Sequence, residues 1–265
     1  MPVPPSIVTL TTDFGGGGPY VAAMKGVILR DAPGTQLVDV SHVIAPQDVR
    51  QGAFVLGTAW PWFPAGTIHL AVVDPGVGTE RRLIAARVSG HWFVAPDNGL
   101  IGLVARGRTI DGLWSLAWPD DRPVSRTFHG RDLLAPAAAH LARDDDPADL
   151  GPACEPRSLV SLDWPEPVAI GDDEIGGEVV FRDHYGNLVT NVPAAQLIGP
   201  GWGLEVAGRS IPSLVGTYGD RPAGTIVALE GSSGLVEIAE VNGDAGRRLG
   251  ASPGMAVTFR REPAR

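Results

Sequence analysis

At 265 residues, 44% of them hydrophobic, the chain has the apolar material to close a core and the length for one large domain or for a large and a small one. A formal net charge of −9 without any dense Lys/Arg cluster argues against nucleic acid as a partner, and the single cysteine, Cys154, leaves neither an internal disulfide nor a cysteine-built zinc site. The opening MPVPPSIVTLTTDF lacks the basic and apolar segments of a secretory leader, and no apolar run approaches the roughly 20 residues of a membrane span, so the chain reads as cytoplasmic with no membrane partner.

As far as about residue 145, short apolar runs alternate with longer helical patterns. Strands are predicted at 7–14, 35–43, 67–74, 83–88 and 91–95, several of them apolar on both faces, as a sheet covered by helices requires. Helices are predicted at 20–32, 48–60 and 131–143. This alternation predicts an α/β domain with a central, largely parallel sheet. From Cys154 to Gly177 the composition turns to Pro, Asp and Gly, which marks a connection. Beyond it, GEVVFRD, NLVTNV, GLEVAG, TIVALE, GLVEIAEV and AVTFRR read as short strands of a small antiparallel barrel or sandwich. The predicted organisation is an N-terminal α/β domain over 1–160, a linker over 161–176 and a smaller all-β domain over 177–265.

Ligands of open α/β sheets collect outside the carboxyl ends of the strands, where Asp13 and Asp74 are placed by these assignments. Asp13 precedes FGGGGPY, a run that either lets backbone approach a ligand or simply turns, with the aspartate as a helix cap. Asp74 opens DPGVGTERR, in which Arg81 stands seven positions on; the pair is either a turn-forming aspartate with a surface ion pair or part of a reactive group. His129, in TFHGRDLL, lies just before a predicted helix on a loop of the kind that presents side chains. His42, His69, His91, His140 and His184 read as structural. In the C-terminal part, DHYGN puts Asp183, Tyr185 and Asn187 in one short loop, a carboxylate, a ring and an amide suited to an ammonium, a base face and a base edge, although Gly186 and Asn187 also read as a hairpin turn. Ser232 and Ser233 stand in a second polar stretch, as a loop, a cap or ligand groups.

Taken in order, TTDFGGGGPYVAAMKG, VVDPGVGTERR, FVAPDNG, TFHGRD, DHYGNLVTN and SSGLVEIA closely resemble the S-adenosylmethionine hydroxide adenosyltransferases, the adenosine-forming S-adenosylmethionine hydrolases related to the fluorinase and chlorinase enzymes. The resemblance spans almost the whole chain. It implies an N-terminal α/β domain, a C-terminal β-barrel, and a homotrimer whose sites lie between the N-terminal domain of one subunit and the C-terminal domain of its neighbour. The implied reaction is hydrolysis of S-adenosyl-L-methionine to adenosine and L-methionine by SN2 attack of water or hydroxide on the ribose 5′-carbon, with no metal and no separate cofactor.

By motif, the resemblance places the catalytic triad on Asp74, Arg81 and His129. It assigns the ribose hydroxyls to Asp13, the methionine ammonium to Asp183, stacking on adenine to Tyr185 and the adenine edge to Asn187. Ser232, with Ser233 as the weaker match, falls on the methionine carboxylate. Tyr185 stands where many relatives carry Phe, which preserves stacking. The first rival is a halide transferase of the same superfamily, which carries Tyr where Asp74 stands and lacks the histidine. The second is a non-catalytic S-adenosylmethionine-binding sensor, which has no need of the triad.

Overall fold

The computed structural model describes residues 6–117 and 123–261. It divides into two compact units, Met1–Asp163 and Trp164–Arg265.

The first unit is built on a six-stranded sheet of β1 (Ile7–Thr12), β2 (Gln36–Ser41), β3 (Ile68–Val72), β4 (Leu83–Val88), β5 (His91–Pro96) and β6 (Ile110–Ser115), in the order β2-β1-β3-β5-β4-β6. β1 pairs in parallel with β2 and β3, and β3 with β5, but β4 runs antiparallel to both β5 and β6. The sheet is therefore mixed: three of its five pairings are parallel, as expected of a largely parallel sheet, and the two made by β4 are not. The cause is local: Ser89 and Gly90, at φ 50° and 80°, close a two-residue turn between β4 and β5, and a connection that short joins only antiparallel strands.

Helices cover both faces. Met24 and Ile28 of α1 (Tyr20–Asp31) pack with Ala135 and Ala138 of α4 (Ala135–Ala142) over Val8, Leu10, Leu70 and Val72. On the opposite face, Leu56 of α2 (Val49–Ala59) and Val104 of α3 (Gly102–Ala105) join Ala71, Ile84 and Phe93. Neighbours along one strand enter different clusters, as Leu70 and Ala71 do, because side chains alternate across a sheet buried on both sides. Met24, Ile28, Leu56 and Leu70 are fully buried, each contributing roughly 1.5–3 kcal/mol of transfer free energy. Asp48 caps α2, its Oδ1 accepting a hydrogen bond from Gln51 N at 2.9 Å. Since β1, β3 and β5 are parallel and adjacent, the residues that follow them, Asp13, Asp74 and Asp97, emerge along one edge.

The second unit is an antiparallel sheet of eight strands: β7 (Val168–Gly171), β8 (Glu174–Arg182), β9 (Leu188–Pro193), β10 (Trp202–Val206), β11 (Arg209–Ile211), β12 (Ile226–Glu230), β13 (Leu235–Glu240) and β14 (Ala256–Arg261). The path runs β11-β10-β14-β8-β9-β13-β12, with β7 paired to β8, so the expected linker 161–176 includes β7 and the first residues of β8. Past β11, Leu214 bridges Ala228 of β12, and Val215 N donates to Ala228 O at 2.8 Å, which nearly closes the sheet into a barrel around Val179, Leu188, Ile238 and Phe259. A short helix, α5 (Ala245–Leu249), is capped by Asp244. Among the described residues no helix is long and apolar enough to cross a membrane.

In the first unit, His69 is 1% exposed, shares a 2.8 Å hydrogen bond with Thr9 Oγ1 through Nδ1, and lies 3.2 Å from His91 Nδ1 through Nε2. Burial and the neighbouring His91 push the His69 pKa down to about 3, and burial lowers that of His91. The unfolded chain takes up these protons near pH 6.5 and the folded chain does not, so stability is lost as pH falls from about 6.5 toward about 3. Urea unfolding at pH 7.5 and 5.0 should show a loss of about 2 kcal/mol from His69 alone. A His69→Gln protein should lose less on acidification, and an equal loss in both would refute this account.

Candidate active site

Asp74 stands two residues past β3 with its side chain 5% exposed. The chain then makes two tight turns, with Val77 N donating to Asp74 O at 3.2 Å and Thr79 N to Gly76 O at 3.1 Å, and returns Arg81 to the aspartate. Arg81 Nε donates to Asp74 Oδ1 at 2.8 Å and to Oδ2 at 3.0 Å, and Nη2 also donates to Oδ2. The guanidinium edge between Nη1 and Nη2 meets a second loop: both donate to His129 Nδ1, at 3.0 and 3.1 Å. Sequence-distant residues 74, 81 and 129 are thus brought into one contact chain.

The chemistry of arginine fixes the state of that histidine. A guanidinium only donates, so His129 Nδ1 must be an unprotonated acceptor, and the neutral ring carries its proton on Nε2. Burial and the positive Arg81 hold the His129 pKa below the usual histidine value, outweighing the opposite pull of Asp74 and Asp132. His129 therefore presents an N–H from Nε2, and Asp74 is the member of the triad with acceptor capacity to spare.

The second loop is held in its own right. Ser125 N donates to Asp132 Oδ2 at 2.8 Å and Arg131 Nε to Asp132 Oδ1 at 2.5 Å, and this Arg131 contact leads the lowering of the Asp132 pKa. A single π-helical turn, Gly130–Leu134, follows His129 and opens into α4. Phe128 meets Phe14 and Tyr20 edge-on at 5.9 and 5.3 Å between centroids, tying the loop to the chain on either side of the glycine run. Gly15 to Gly18 are themselves exposed or nearly so. Asp13 is not in the triad's contact chain: its Oδ2 accepts from Gln47 N at 2.8 Å.

In the second unit, the loop after β8 closes on itself. Asp183 Oδ1 accepts from Asn187 N at 2.8 Å and its Oδ2 from Asn187 Nδ2 at 3.0 Å. Tyr185 is 76% exposed at the tip. Asp183, Tyr185, Asn187 and Ser232 line one open cavity of about 690 Å³, whereas Ser233 is not among its lining residues. Among the lining residues that the sequence reading did not single out are Tyr218 and Glu237. Tyr218 donates from its hydroxyl to Glu237 Oε1 at 2.5 Å; burial and Glu237 push the tyrosine pKa up to about 12. Burial, reinforced by the charge of Asp183, raises that of Glu237 against the pull of the tyrosine hydrogen bond. The signal for Glu237 was a carboxylate in the middle of the apolar run LVEIAE; Tyr218 offered none. With Asp183, Glu230, Glu237 and Glu240 among its lining and no Lys or Arg among the described lining residues, the cavity suits a cationic ligand.

Residues 8–151 match the family model of the SAM hydroxide adenosyltransferase N-terminal domain, and residues 177–258 that of the C-terminal domain. The chain is similar to the (R)-S-adenosyl-L-methionine hydrolase of Thermus thermophilus, 42% identical over 260 residues that cover 94% of this chain and 98% of that one. It is similar at greater distance to a fluorinase of an Actinoplanes species, 28% identical over 80% of each chain. Among solved structures, it is similar to an uncharacterized conserved protein from Thermotoga maritima, with a TM-score of 0.88 and 32% identity over 96% of this chain and all of that one.

The two loops of the triad touch at Gly78, whose φ is +79° and whose missing Cβ would lie 2.4 Å from Arg126 O. Gly78→Ala should therefore destabilise the protein by about 1–3 kcal/mol, from the positive φ and from separation of the loops. Urea unfolding measures this, and a wild-type midpoint would contradict it.

Proposed function

The chain belongs to the SAM hydroxide adenosyltransferase family, and on that basis we propose that it hydrolyses S-adenosyl-L-methionine to adenosine and L-methionine. The observation that carries this reading is the contact of Arg81 with both Asp74 and His129, and the hydrolase relative at 42% identity supports it. The water oxygen forms a bond to the ribose 5′-carbon while the C–S bond breaks, and its electron pair goes to sulfur, which leaves as a neutral thioether. One proton is released from the attacking water. Displacement at carbon needs that water in line behind the breaking bond and close to the hydroxide state, because water itself is a poor nucleophile.

Within the triad the roles follow from donor and acceptor chemistry. Asp74 takes the hydrogen bond, and finally the proton, of the water. His129 directs its Nε2–H at the water oxygen and orients its remaining lone pair. Arg81, always protonated, holds both partners and favours an anionic nucleophile. No acid is needed for the leaving group, and no cofactor or metal enters the reaction. The resemblance supports Asp13 as the acceptor for both ribose hydroxyls, Asp183 for the methionine ammonium, Tyr185 for the adenine face, Asn187 for the adenine edge, and Ser232, with Ser233 beside it in sequence, for the methionine carboxylate. The acidic lining of the C-terminal cavity favours the positive groups of the substrate, its ammonium and its sulfonium. It also supports Glu237 and Tyr218 as parts of that binding surface. The resemblance further supports a cytoplasmic homotrimer that completes each site with the N-terminal unit of one subunit and the C-terminal unit of its neighbour. Halide transfer is the weaker reading, because the triad is present and the fluorinase relative is only 28% identical.

Reaction in ¹⁸O-water should place the label on the 5′-oxygen of adenosine. Unlabelled adenosine, or 5′-chloro-5′-deoxyadenosine as the main product in chloride buffer, would overturn the proposal. The state of His129 gives a second test. Arg81 needs an unprotonated Nδ1, and the histidine pKa is held below 6.5, so kcat/KM should persist below pH 6.5 and fall only at lower pH. His129→Asn, whose Oδ1 still accepts from Arg81, should keep residual activity without that acid limb; a limb centred above pH 6.5, or one unchanged in the variant, would assign the titration elsewhere.

A further inference from the structure

The segment Pro96-Asp97-Asn98-Gly99 takes no part in the reaction as proposed, yet it touches both ends of the turn that presents Asp74 and Arg81. Asn98 Nδ2 donates to Val73 O at 2.9 Å, the carbonyl immediately before Asp74. The amide cannot rotate away, because its Oδ1 already accepts from Leu100 N at 3.2 Å. One residue earlier, Asp97 N donates to Arg82 O at 2.9 Å, immediately after Arg81. The Asp97 side chain, 2% exposed, accepts at Oδ2 from Arg82 Nε at 2.8 Å and from Nη2 at 2.5 Å, and at Oδ1 from Val160 N at 2.9 Å.

Two consecutive residues therefore hold the residue before and the residue after the turn 74–81. Across the turn itself only the Arg81–Asp74 side-chain contacts join its two ends, and beyond the seat of Gly78 against Arg126 no other backbone contact is made by its tip among the described hydrogen bonds. Its own hydrogen bonds are local, joining Val77 to Asp74 and Thr79 to Gly76, and its tip is exposed. Arg81 must nevertheless reach Asp74 and His129 at once, and a planar fork with donors in fixed directions tolerates little displacement of its Cα. A shift of about 1 Å in a reacting group costs up to 10²-fold in rate.

We propose that Asp97 and Asn98 are positioning residues for the reaction, a clamp on the backbone at Val73 and Arg82 that sets the spacing between Asp74 and Arg81. The inference rests on the triad reading given above and adds to it two residues that touch neither the triad side chains nor the substrate groups assigned to them.

Asn98→Asp is close to isosteric, keeps the acceptor for Leu100 N and removes the donor to Val73 O. Asn98→Ala removes that donor without adding charge, and Asp97→Asn weakens the grip on Arg82. Each variant should lower kcat by about 10–100-fold with KM within threefold and a melting temperature within a few degrees of wild type. Each should also move the acid limb of kcat/KM up toward the ordinary histidine value, because a displaced Arg81 no longer opposes protonation of His129. A merely structural role would not move that limb. Asp74→Asn and His129→Ala test the triad reading in parallel: if they retain wild-type kcat, that reading fails. If they are inactive while all three clamp variants keep wild-type kcat and an unmoved limb, the clamp fails alone. Loss confined to Asn98→Asp would trace the effect to its new charge and overturn the clamp, as would losses of kcat, KM and melting temperature in parallel in every variant that folds.

Discussion

A guanidinium has five N–H groups in one plane and no lone pair to offer, and the first unit is organised around where a single one of them points. Arg81 spends one edge on Asp74 and a second, between Nη1 and Nη2, on His129. The carboxylate keeps its charge compensated without losing all of its acceptor capacity, and the imidazole is fixed as one tautomer. No other common side chain could do both, since lysine has three donors on a rotating point charge and histidine would compete for the proton. The surrounding loops are consequently built for placement. Gly78 allows one to seat on Arg126, Asp132 closes the other, and Phe128 anchors it against Phe14 and Tyr20.

The antiparallel course of β4 is what delivers Arg81 to this place. Leu83, the first residue of β4, pairs with Pro96, the last of β5. Parallel β4 would have to start at the opposite edge of the sheet, one strand length of about 20 Å away, and Arg81 and Arg82 would start there with it. Because β4 reverses, the chain leaves β3, makes a short excursion and re-enters the sheet at the same edge. Asp13, Asp74 and Asp97 can then share that edge with two arginines. The departure from a purely parallel sheet is thus part of the site's construction.

Much of this was legible in the sequence where the signal was periodic. β1 to β5, α1 and α2 carried apolar runs or helical spacing long enough to read, and Asp13 and Asp74 lie just past β1 and β3, as the sequence placed them. What stayed hidden was short or nonlocal, apart from β6, whose IDGLWS breaks its apolar run with Asp111 and Gly112. α3 and β11 span four and three residues, less than a readable period, and β7 lies in a Pro- and Asp-rich stretch that resembles a connection. The strands expected at 83–88 and 91–95 leave only two residues between them, a gap that already implies reversal, and the expectation of a largely parallel sheet passed over it. The partnership of Arg81 with His129 crosses 48 positions and no spacing rule reaches it. Tyr218 becomes a cavity residue only because the barrel nearly closes beside it, a tertiary fact with no local trace.

The reversal at Ser89 and Gly90 also divides the sheet into two edges under different constraints. One edge carries Asp74, joined to Arg81 and through it to His129 by a chain of hydrogen bonds. The other carries a turn that contacts none of those groups and lies a full strand away. Chain length can vary at the second edge with little consequence for chemistry at the first. For anyone wishing to attach a reporter, graft a binding loop or link this unit to another protein, the turn between β4 and β5 is the permissive position, and the turn between β3 and β4 is the one to leave alone.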